Sequence, residues 1–135
     1  MNENEQLSKA RVMRFALTLL LMLTCVPAWA KWVLIQESGD SWFYMDPSTI
    51  RKAGQYRRVW ALINFRQQVS FNAYSARIHQ QYDCNEERYR ILRHESYSEW
   101  MAGGKIVAAL VGAEKWDPIA PGSAAQIIFK KVCAK

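Results

Sequence analysis

The stretch YRRVWALINF, residues 56–65, carries the strongest strand signal in the chain. Its side chains alternate between two faces, as they do in a β-strand. One predicted face is wholly apolar and holds Val59, Ala61, Ile63 and Phe65; the other holds Arg58, Trp60, Leu62 and Asn64. We therefore expect a strand whose apolar face packs on the core of the domain.

Further strand candidates flank this one on both sides. They are short apolar or alternating segments bounded by turn residues, at 32–35, 41–45, 74–84, 88–97 and 106–111. The last of them, IVAALV, would also tolerate a helix. Asp46 and Pro47 predict one helical turn over residues 46–50. Two prolines predict an irregular loop over residues 116–122.

A helix is predicted to follow the strands. Ser123 is suited to cap a helix that starts at Ala124, and Ile127, Ile128 and Val132 form an apolar stripe along it. The fold class is therefore α+β: a single antiparallel sheet of about five or six strands with a C-terminal helix packed on it.

The N-terminus has the pattern of a secretion signal. Basic residues precede an apolar run at residues 15–26, and Ala28-Trp29-Ala30 supplies the small residues that a signal peptidase reads. The run is shorter than the roughly 20 apolar residues of a membrane span. We predict a signal peptide at residues 1–30 and one domain at residues 31–135, with no transmembrane segment after cleavage.

Cys25 permits a second interpretation of this segment, as the acylated cysteine of an outer-membrane lipoprotein. Thr24 fits poorly at the position before that cysteine, where a small residue is usual. A removed signal is therefore favoured over lipidation, and the predicted location is periplasmic or secreted.

Export would place the domain in an oxidising compartment with two cysteines, Cys84 and Cys133. A disulfide between them is the simplest pairing. The alternative, a reactive thiol, has no C-x-x-C motif to support it.

The sequence offers little support for catalysis, and we predict a protein that is not an enzyme. His79 and His94 lack a third metal ligand at suitable spacing, and the motifs of hydrolases and nucleotide-binding enzymes are missing. No catalytic residue, metal site or cofactor is predicted.

Basic residues supply the candidate ligand contacts. The whole chain has a net charge of +6, and about +5 remains after residues 1–30 are removed. The basic residues cluster in two stretches interleaved with aromatic residues: Arg51, Lys52, Arg57 and Arg58, then Arg88, Arg90 and Arg93. Outside the inner membrane the expected partners are a protein or an anionic glycan, and not nucleic acid. For these two stretches taken alone, a solvated face without a ligand is favoured over a binding site.

Four pieces of sequence together resemble the surface-adhesin protein E family of Gram-negative bacteria. They are residues 43–50 (FYMDPSTI), Gly54 with residues 56–63, residues 81–84 (QYDC), and Trp116 with residues 121–123 and 132–133. The resemblance implies an antiparallel sheet with a C-terminal helix and a linking disulfide. It also implies binding of host matrix and plasma proteins such as vitronectin and laminin.

The predicted function is therefore an exported, non-enzymatic binding domain for host proteins or other anionic surface ligands. The alternative is a periplasmic structural or inhibitor-like protein that binds another bacterial protein. The oligomeric state is not predicted.

Overall fold

A computed structural model describes residues 2–22 and 31–135. Helix α1 spans Glu3–Met22 and precedes the sheet. The proposed cleavage site and Cys25 lie outside the described residues. No described helix is long and apolar enough to cross a membrane.

Six strands form one antiparallel sheet, as the sequence predicts, and they follow one another in chain order from edge to edge. The strands are β1 (Val33–Glu37), β2 (Ser41–Ala53), β3 (Tyr56–Val69), β4 (Ala73–Asp83), β5 (Arg88–Tyr97) and β6 (Ile106–Val111). The segment 106–111, which the sequence left open, is a strand. A two-residue strand, β7 (Asp117–Pro118), pairs with β5 beside its first residues.

The C-terminal helix α2 spans Ala124–Val132 and covers one face of the sheet, as predicted. The Ser123 hydroxyl accepts a hydrogen bond from the Gln126 N–H at 3.2 Å, which caps the helix. The core between helix and sheet is formed by Met45, Val59, Ala61, Tyr82, Ile128 and Val132. Cys84, directly after β4, and Cys133, directly after α2, form a disulfide with a Cα–Cα distance of 5.6 Å.

The helical turn predicted over residues 46–50 is wrong, because β2 continues through this segment with a bulge between Asp46 and Arg51. Side chains replace the backbone pairing that the bulge interrupts. The Asp46 carboxylate accepts from the Ser48 N–H at 3.0 Å. The Thr49 hydroxyl accepts from the Trp60 N–H at 3.0 Å and donates to the Asp46 carbonyl at 2.7 Å. The chain therefore stays extended where Asp-Pro predicts a helix start.

The loop predicted over residues 116–122 is only partly irregular, because Asp117 and Pro118 pair with Tyr89 and Arg88. Proline is tolerated there because β7 lies at the sheet edge, where a missing N–H costs no ladder hydrogen bond.

The prediction of a single buried face on β3 is also incomplete. Leu62 and Asn64 lie on the face opposite Val59 and Ala61, yet they are as buried as those residues. The 3-10 turn Trp100–Ala102 covers them, and the Met101 N–H donates to the Asn64 side-chain oxygen at 2.9 Å. Sequence periodicity does not reveal this cover, because it comes from a turn distant in the sequence.

Candidate binding surface

The sheet face opposite α2, which we call the open face, carries a row of arginines. Strand register aligns Arg51 with Arg58, Arg58 with Gln81, and Gln81 with Arg90. Residues paired across neighbouring strands point to the same side of a sheet, about 4.8 Å apart from strand to strand. The three guanidinium groups therefore form a row across four strands, from β2 to β5.

This row lacks neutralising carboxylates. Among the described residues, Arg51, Arg58 and Arg90 form no salt bridge. Arg90 donates to the Gln81 side-chain oxygen at 2.9 Å, and Arg51 donates to the backbone carbonyls of Ser48 and Ile50. Like charges placed directly opposite each other, as Arg51 and Arg58 are, destabilise a sheet.

Next to the row, an aromatic stack crosses β3 and β4. The rings of Trp60 and His79 are nearly parallel, with centroids 4.6 Å apart. The guanidinium carbon of Arg77 lies 4.4 Å from the centroid of the Trp60 ring. Partial burial lowers the pKa of His79, and the positive charges of Arg58 and Arg93 lower it further. His79 is therefore a neutral, flat member of a positively charged surface at neutral pH.

A second aromatic platform lies at the other side of the arginine row. Trp116 stacks on Tyr56 with centroids 5.9 Å apart. The guanidinium carbons of Arg88 and Arg90 lie 4.7 and 4.4 Å from the centroid of the Trp116 ring. These cation–π contacts hold two arginine side chains in place without removing their charge.

Two buried carboxylates orient three further arginines of the open face, Arg77, Arg88 and Arg93. Glu95, which is 1% exposed, accepts from Arg77 at 2.8 Å, from Arg93 at 2.6 Å and from the Tyr97 hydroxyl at 2.9 Å. Burial alone raises the pKa of Glu95, but these hydrogen bonds outweigh it and the net shift is downward. Glu95 is therefore an ionised anchor beneath the surface.

Asp83, the last residue of β4, orients Arg88 at the first residue of β5 in the same way. It is fully buried and accepts from the Arg88 side chain at 3.2 Å and from the Gln55 side chain at 3.1 Å. Burial raises its pKa, but hydrogen bonds from the backbone N–H of Glu86, from Gln55, from the N–H of Asn85 and from Arg88 lower it overall. Both acids thus orient cations from below and present no carboxylate to a ligand.

Five of the seven predicted contact residues meet on the open face: Arg51, Arg58, Arg88, Arg90 and Arg93. The other two are Lys52 and Arg57. Lys52 pairs with Arg57, and Arg57 pairs with the core residue Tyr82, so both lie on the helix side of the sheet. Sequence reasoning omitted Arg77 and Trp116 from the site. The alternation of β4 could have identified Arg77, whereas Trp116 lies in a loop with no period.

The two histidines do not cooperate. His79 pairs with Arg93 on the open face, whereas His94 pairs with Ile78 on the helix side. Within residues 2–22 and 31–135, no group of three His, Cys, Asp or Glu side chains is arranged to hold a metal ion.

An apolar cleft of about 490 Å³ lies on the other side of the sheet, beside α2. Its walls include Phe43, Ile63, Ile91, Ala125 and Ile128, and none of its described lining residues is charged. The charged open face and this apolar cleft are therefore separated by the full thickness of the sheet.

Comparison with known proteins agrees with this architecture. The chain is similar in structure to protein E of Haemophilus influenzae, with a TM-score of 0.62, 17% sequence identity and coverage of 76% of this chain and 83% of that one. A second structure, protein E from non-typeable Haemophilus influenzae, gives a TM-score of 0.61 and 16% identity over 81% of this chain and 79% of that one. At this level of identity the likeness shows a shared fold.

No curated protein sequence matches the chain at a significant level. The sequence model of the family named surface-adhesin protein E, however, matches residues 32–134, which include every strand of the sheet and α2. The chain therefore belongs to the surface-adhesin protein E family.

Proposed function

We propose that this chain is an exported, non-enzymatic adhesin-like domain that binds an anionic surface ligand through its open face. A sulfated or carboxylated glycan fits this face best. The observation that carries the proposal is the row Arg51, Arg58 and Arg90, aligned across four strands without a carboxylate partner among the described residues.

The row lowers the stability of the ligand-free protein, which favours a binding role over a merely solvated surface. Adjacent like charges destabilise the folded sheet, and an anion that bridges them would remove the repulsion. Guanidinium groups bind sulfate and carboxylate with paired hydrogen bonds. Three cations in line across four strands also suit a ligand with several negative groups.

Rigidity of the surrounding side chains supports the same conclusion. Arg77, Arg88 and Arg93 are held by buried carboxylates, and Arg88 also lies over Trp116. Binding then costs less side-chain entropy than it would with free arginines. Trp60 and Trp116 add flat apolar surface at either side of the row.

Family membership points to an adhesin rather than an enzyme, and the resemblance to the family suggests vitronectin and laminin as host ligands to test. Sulfated glycans often accompany matrix proteins, so heparin is included as a simple anionic probe. Binding should weaken steeply with added salt, because exposed charges are screened.

Export is the second part of the proposal, with residues 1–30 as a signal removed after Ala30. Mass spectrometry of the protein recovered from cells should then give an N-terminus at Lys31. Protease treatment of intact cells distinguishes a surface location from the alternative, a periplasmic protein that binds another bacterial protein. A protein found only in the periplasm favours that alternative.

The open face can be tested with a charge-matched pair of variants. Arg58→Ala with Arg90→Ala removes two cations from the row, whereas Lys130→Ala with Lys131→Ala removes two exposed cations from α2. We expect the arginine variant to bind immobilised heparin at least about tenfold more weakly, which corresponds to about 1.4 kcal/mol. The lysine variant should stay within about twofold of the parent protein.

Equal losses in both variants would show that net charge alone drives binding and would refute the open face as the site. Melting temperatures no lower than that of the parent protein are the control for folding in both variants. Isothermal titration with vitronectin and laminin, performed on the same variants, shows whether a protein ligand uses the same face.

A further inference from the structure

The apolar cleft on the helix side of the sheet is a second candidate binding site, separate from the open face. Its floor runs across five neighbouring strands, from Ile35 on β1 to Ile91 on β5, and its wall is the first half of α2, including Ala125 and Ile128. Its volume of about 490 Å³ lies within the range of small-molecule sites, about 300–1,000 Å³. The cleft therefore has the size and the apolar lining of a site for a small apolar molecule.

The shape of the cleft favours an unbranched chain as its occupant. Neighbouring strands lie about 4.8 Å apart, so a floor that runs from β1 to β5 is about 19 Å long. A volume of about 490 Å³ over that length gives a mean cross-section of about 26 Å². A space this narrow lets the walls contact a single aliphatic chain on several sides, which maximises the dispersion attraction. A lipid with two chains fits it less well.

Gln80 supplies a hydrogen-bond donor to the cleft. It lies on β4 between Val59 and Ile91 of the neighbouring strands and is 8% exposed. Its side-chain oxygen accepts from the Tyr82 hydroxyl at 3.0 Å, whereas its side-chain nitrogen has no acceptor within the part of the chain that the structure describes. A donor left without a partner in a buried side chain costs free energy. Because Gln80 lines the cleft, an acceptor on a bound molecule can pair with it.

The rest of the lining indicates that this acceptor is uncharged. None of the described lining residues carries a charge. Two other polar residues of the lining are already paired, since the Gln36 side chain donates to the Gly122 carbonyl at 2.8 Å and the Ser123 hydroxyl accepts from the Gln126 N–H at 3.2 Å. An ionised carboxylate would lose its water in the cleft without gaining a cation. The carbonyl oxygen of an ester or an amide accepts from an N–H without that penalty.

We infer that this cleft binds a single-chain acyl ester or acyl amide. The aliphatic chain lies across the sheet beside α2, and the carbonyl oxygen accepts a hydrogen bond from the side-chain nitrogen of Gln80. The site does not depend on the anionic ligand proposed for the open face, because the sheet separates the two. The domain then carries an apolar molecule on one side while its other side is free to bind a charged surface.

Methyl-labelled isoleucines report on the cleft directly, because five of the nine isoleucines in the chain line it: Ile35, Ile63, Ile78, Ile91 and Ile128. Titration of the protein recovered from cells with methyl octanoate should shift the methyl resonances of these five residues. The resonance of Ile106, at the exposed edge of the sheet, should stay in place. Octanoate, which is ionised at pH 7, should bind at least about tenfold more weakly than the ester.

Two variants, each with a matched control, test where the ligand lies. Ala125→Leu fills the cleft and should abolish binding, whereas Ala134→Leu, at an exposed position after α2, should leave the affinity within about twofold of the parent protein. Gln80→Met removes the donor and should weaken binding of methyl octanoate about fivefold or more. Gln68→Met, at an exposed position, should not. Because Gln80→Met also deprives the Tyr82 hydroxyl of its acceptor, the decisive measurement is the preference for methyl octanoate over methyl octyl ether, which lacks the carbonyl. Lower stability alone would not remove that preference.

The inference would be overturned if methyl octanoate shifted none of the five cleft methyl groups, or shifted Ile106 as much as it shifted them. Equal affinities of the parent protein for the ester and the ether would also contradict it. So would equal binding by Ala125→Leu and Ala134→Leu. If Ala125→Leu fails to fold, the titration of the parent protein and the Gln80→Met comparison still decide. Shifts that appear with phosphatidylcholine vesicles but not with methyl octanoate would indicate a membrane lipid and would refute a single-chain ligand.

Discussion

Glu95 is a carboxylate with almost no exposed surface that lies beneath two arginines of the open face. Its three side-chain donors, Arg77, Arg93 and Tyr97, keep it ionised in spite of its burial. Both arginines are themselves more than one third exposed, so water screens part of the attraction. The position therefore contributes more to the orientation of the arginines than to total stability.

Replacement of Glu95 with Gln should lower the free energy of unfolding at pH 7 by about 1–2 kcal/mol. The folded-state pKa of Glu95 lies below its usual value of 4.5, so its stabilisation is present above that value and is lost as the pH falls through the lower, folded-state pKa. The free energy of unfolding, measured with urea at pH 7 and near pH 3, should therefore differ less between parent and variant at the lower pH.

Glu86→Gln, at an exposed acid in a turn, serves as the control. It should change the free energy of unfolding by no more than a few tenths of a kcal/mol at either pH. If the Glu95 variant differed from the parent protein equally at both pH values, shape and not charge would explain the effect.

At single positions, sequence reasoning identified the residue types of the site better than their directions. Arg57 and Arg58 are adjacent, and a strand sends adjacent side chains to opposite faces, so only one of them can lie on the open face. The alternation of β3 settles that choice, because Arg58 lies opposite the face of Val59 and Ala61. For Arg51 and Lys52 the choice depends on the register of β2, where a bulge lies between Asp46 and Arg51. Nothing in the local sequence marks that bulge, because Asp-Pro-Ser is equally compatible with a helix start.

Among the elements, α2 is the one whose stability depends most on its contacts with the rest of the domain. It is only nine residues long, a length at which an isolated helix is marginal in water. It is held by the Ser123 cap, by Ile128 and Val132 in the core, and by the disulfide from Cys133 to Cys84, which are 49 positions apart. The sequence predicted the helix correctly because the cap residue Ser123 and the apolar stripe agree.

Cys84→Ser or Cys133→Ser should therefore destabilise the domain by about 2–4 kcal/mol, because closing a loop of this length restricts the unfolded chain. The double variant should resemble each single one, since the same bond is lost only once. Thermal unfolding of the three variants, and of the parent protein with and without a reducing agent, measures this. If the reducing agent left the melting temperature of the parent protein unchanged, the disulfide would contribute nothing to stability.

The strands were easier to predict than their connections. Periodicity located β3, β4 and β5, although a bulge between Ile91 and Arg93 interrupts the alternation of β5. It could not assign β6, whose uniform apolar sequence has no period at all. The structure explains why: β6 has one neighbour and large exposed side chains, so burial did not impose an alternating pattern.

For the whole molecule, the described core lies within the predicted domain. Its buried cluster runs from Met45 to Val132, and the partly buried residues that pack on it start at Ile35. None of the described side chains of helix α1 belongs to this cluster. The domain predicted at residues 31–135 is therefore expected to contain all of its own packing.

A protein that consists of residues 31–135 should accordingly melt within about 2 °C of the full chain, because none of the described core contacts is removed. Differential scanning calorimetry of the two proteins makes the comparison. A chain that starts at Met45 is a useful contrast, since it lacks β1 and Ile35 and should be clearly less stable. A marked loss in the 31–135 protein would place the domain boundary before residue 31.

Under the export proposed above, the Cys84–Cys133 disulfide separates two stages in the life of the chain. Before that export, the reducing cytosol keeps both thiols free, and α2 is then held by its packing and its Ser123 cap. The folded state is less stable there by the few kcal/mol that the bond supplies, which leaves more of the chain unfolded and fit to pass through a narrow secretion channel. Oxidation after export forms the disulfide and raises the free energy of unfolding, at a stage when the chain no longer has to unfold.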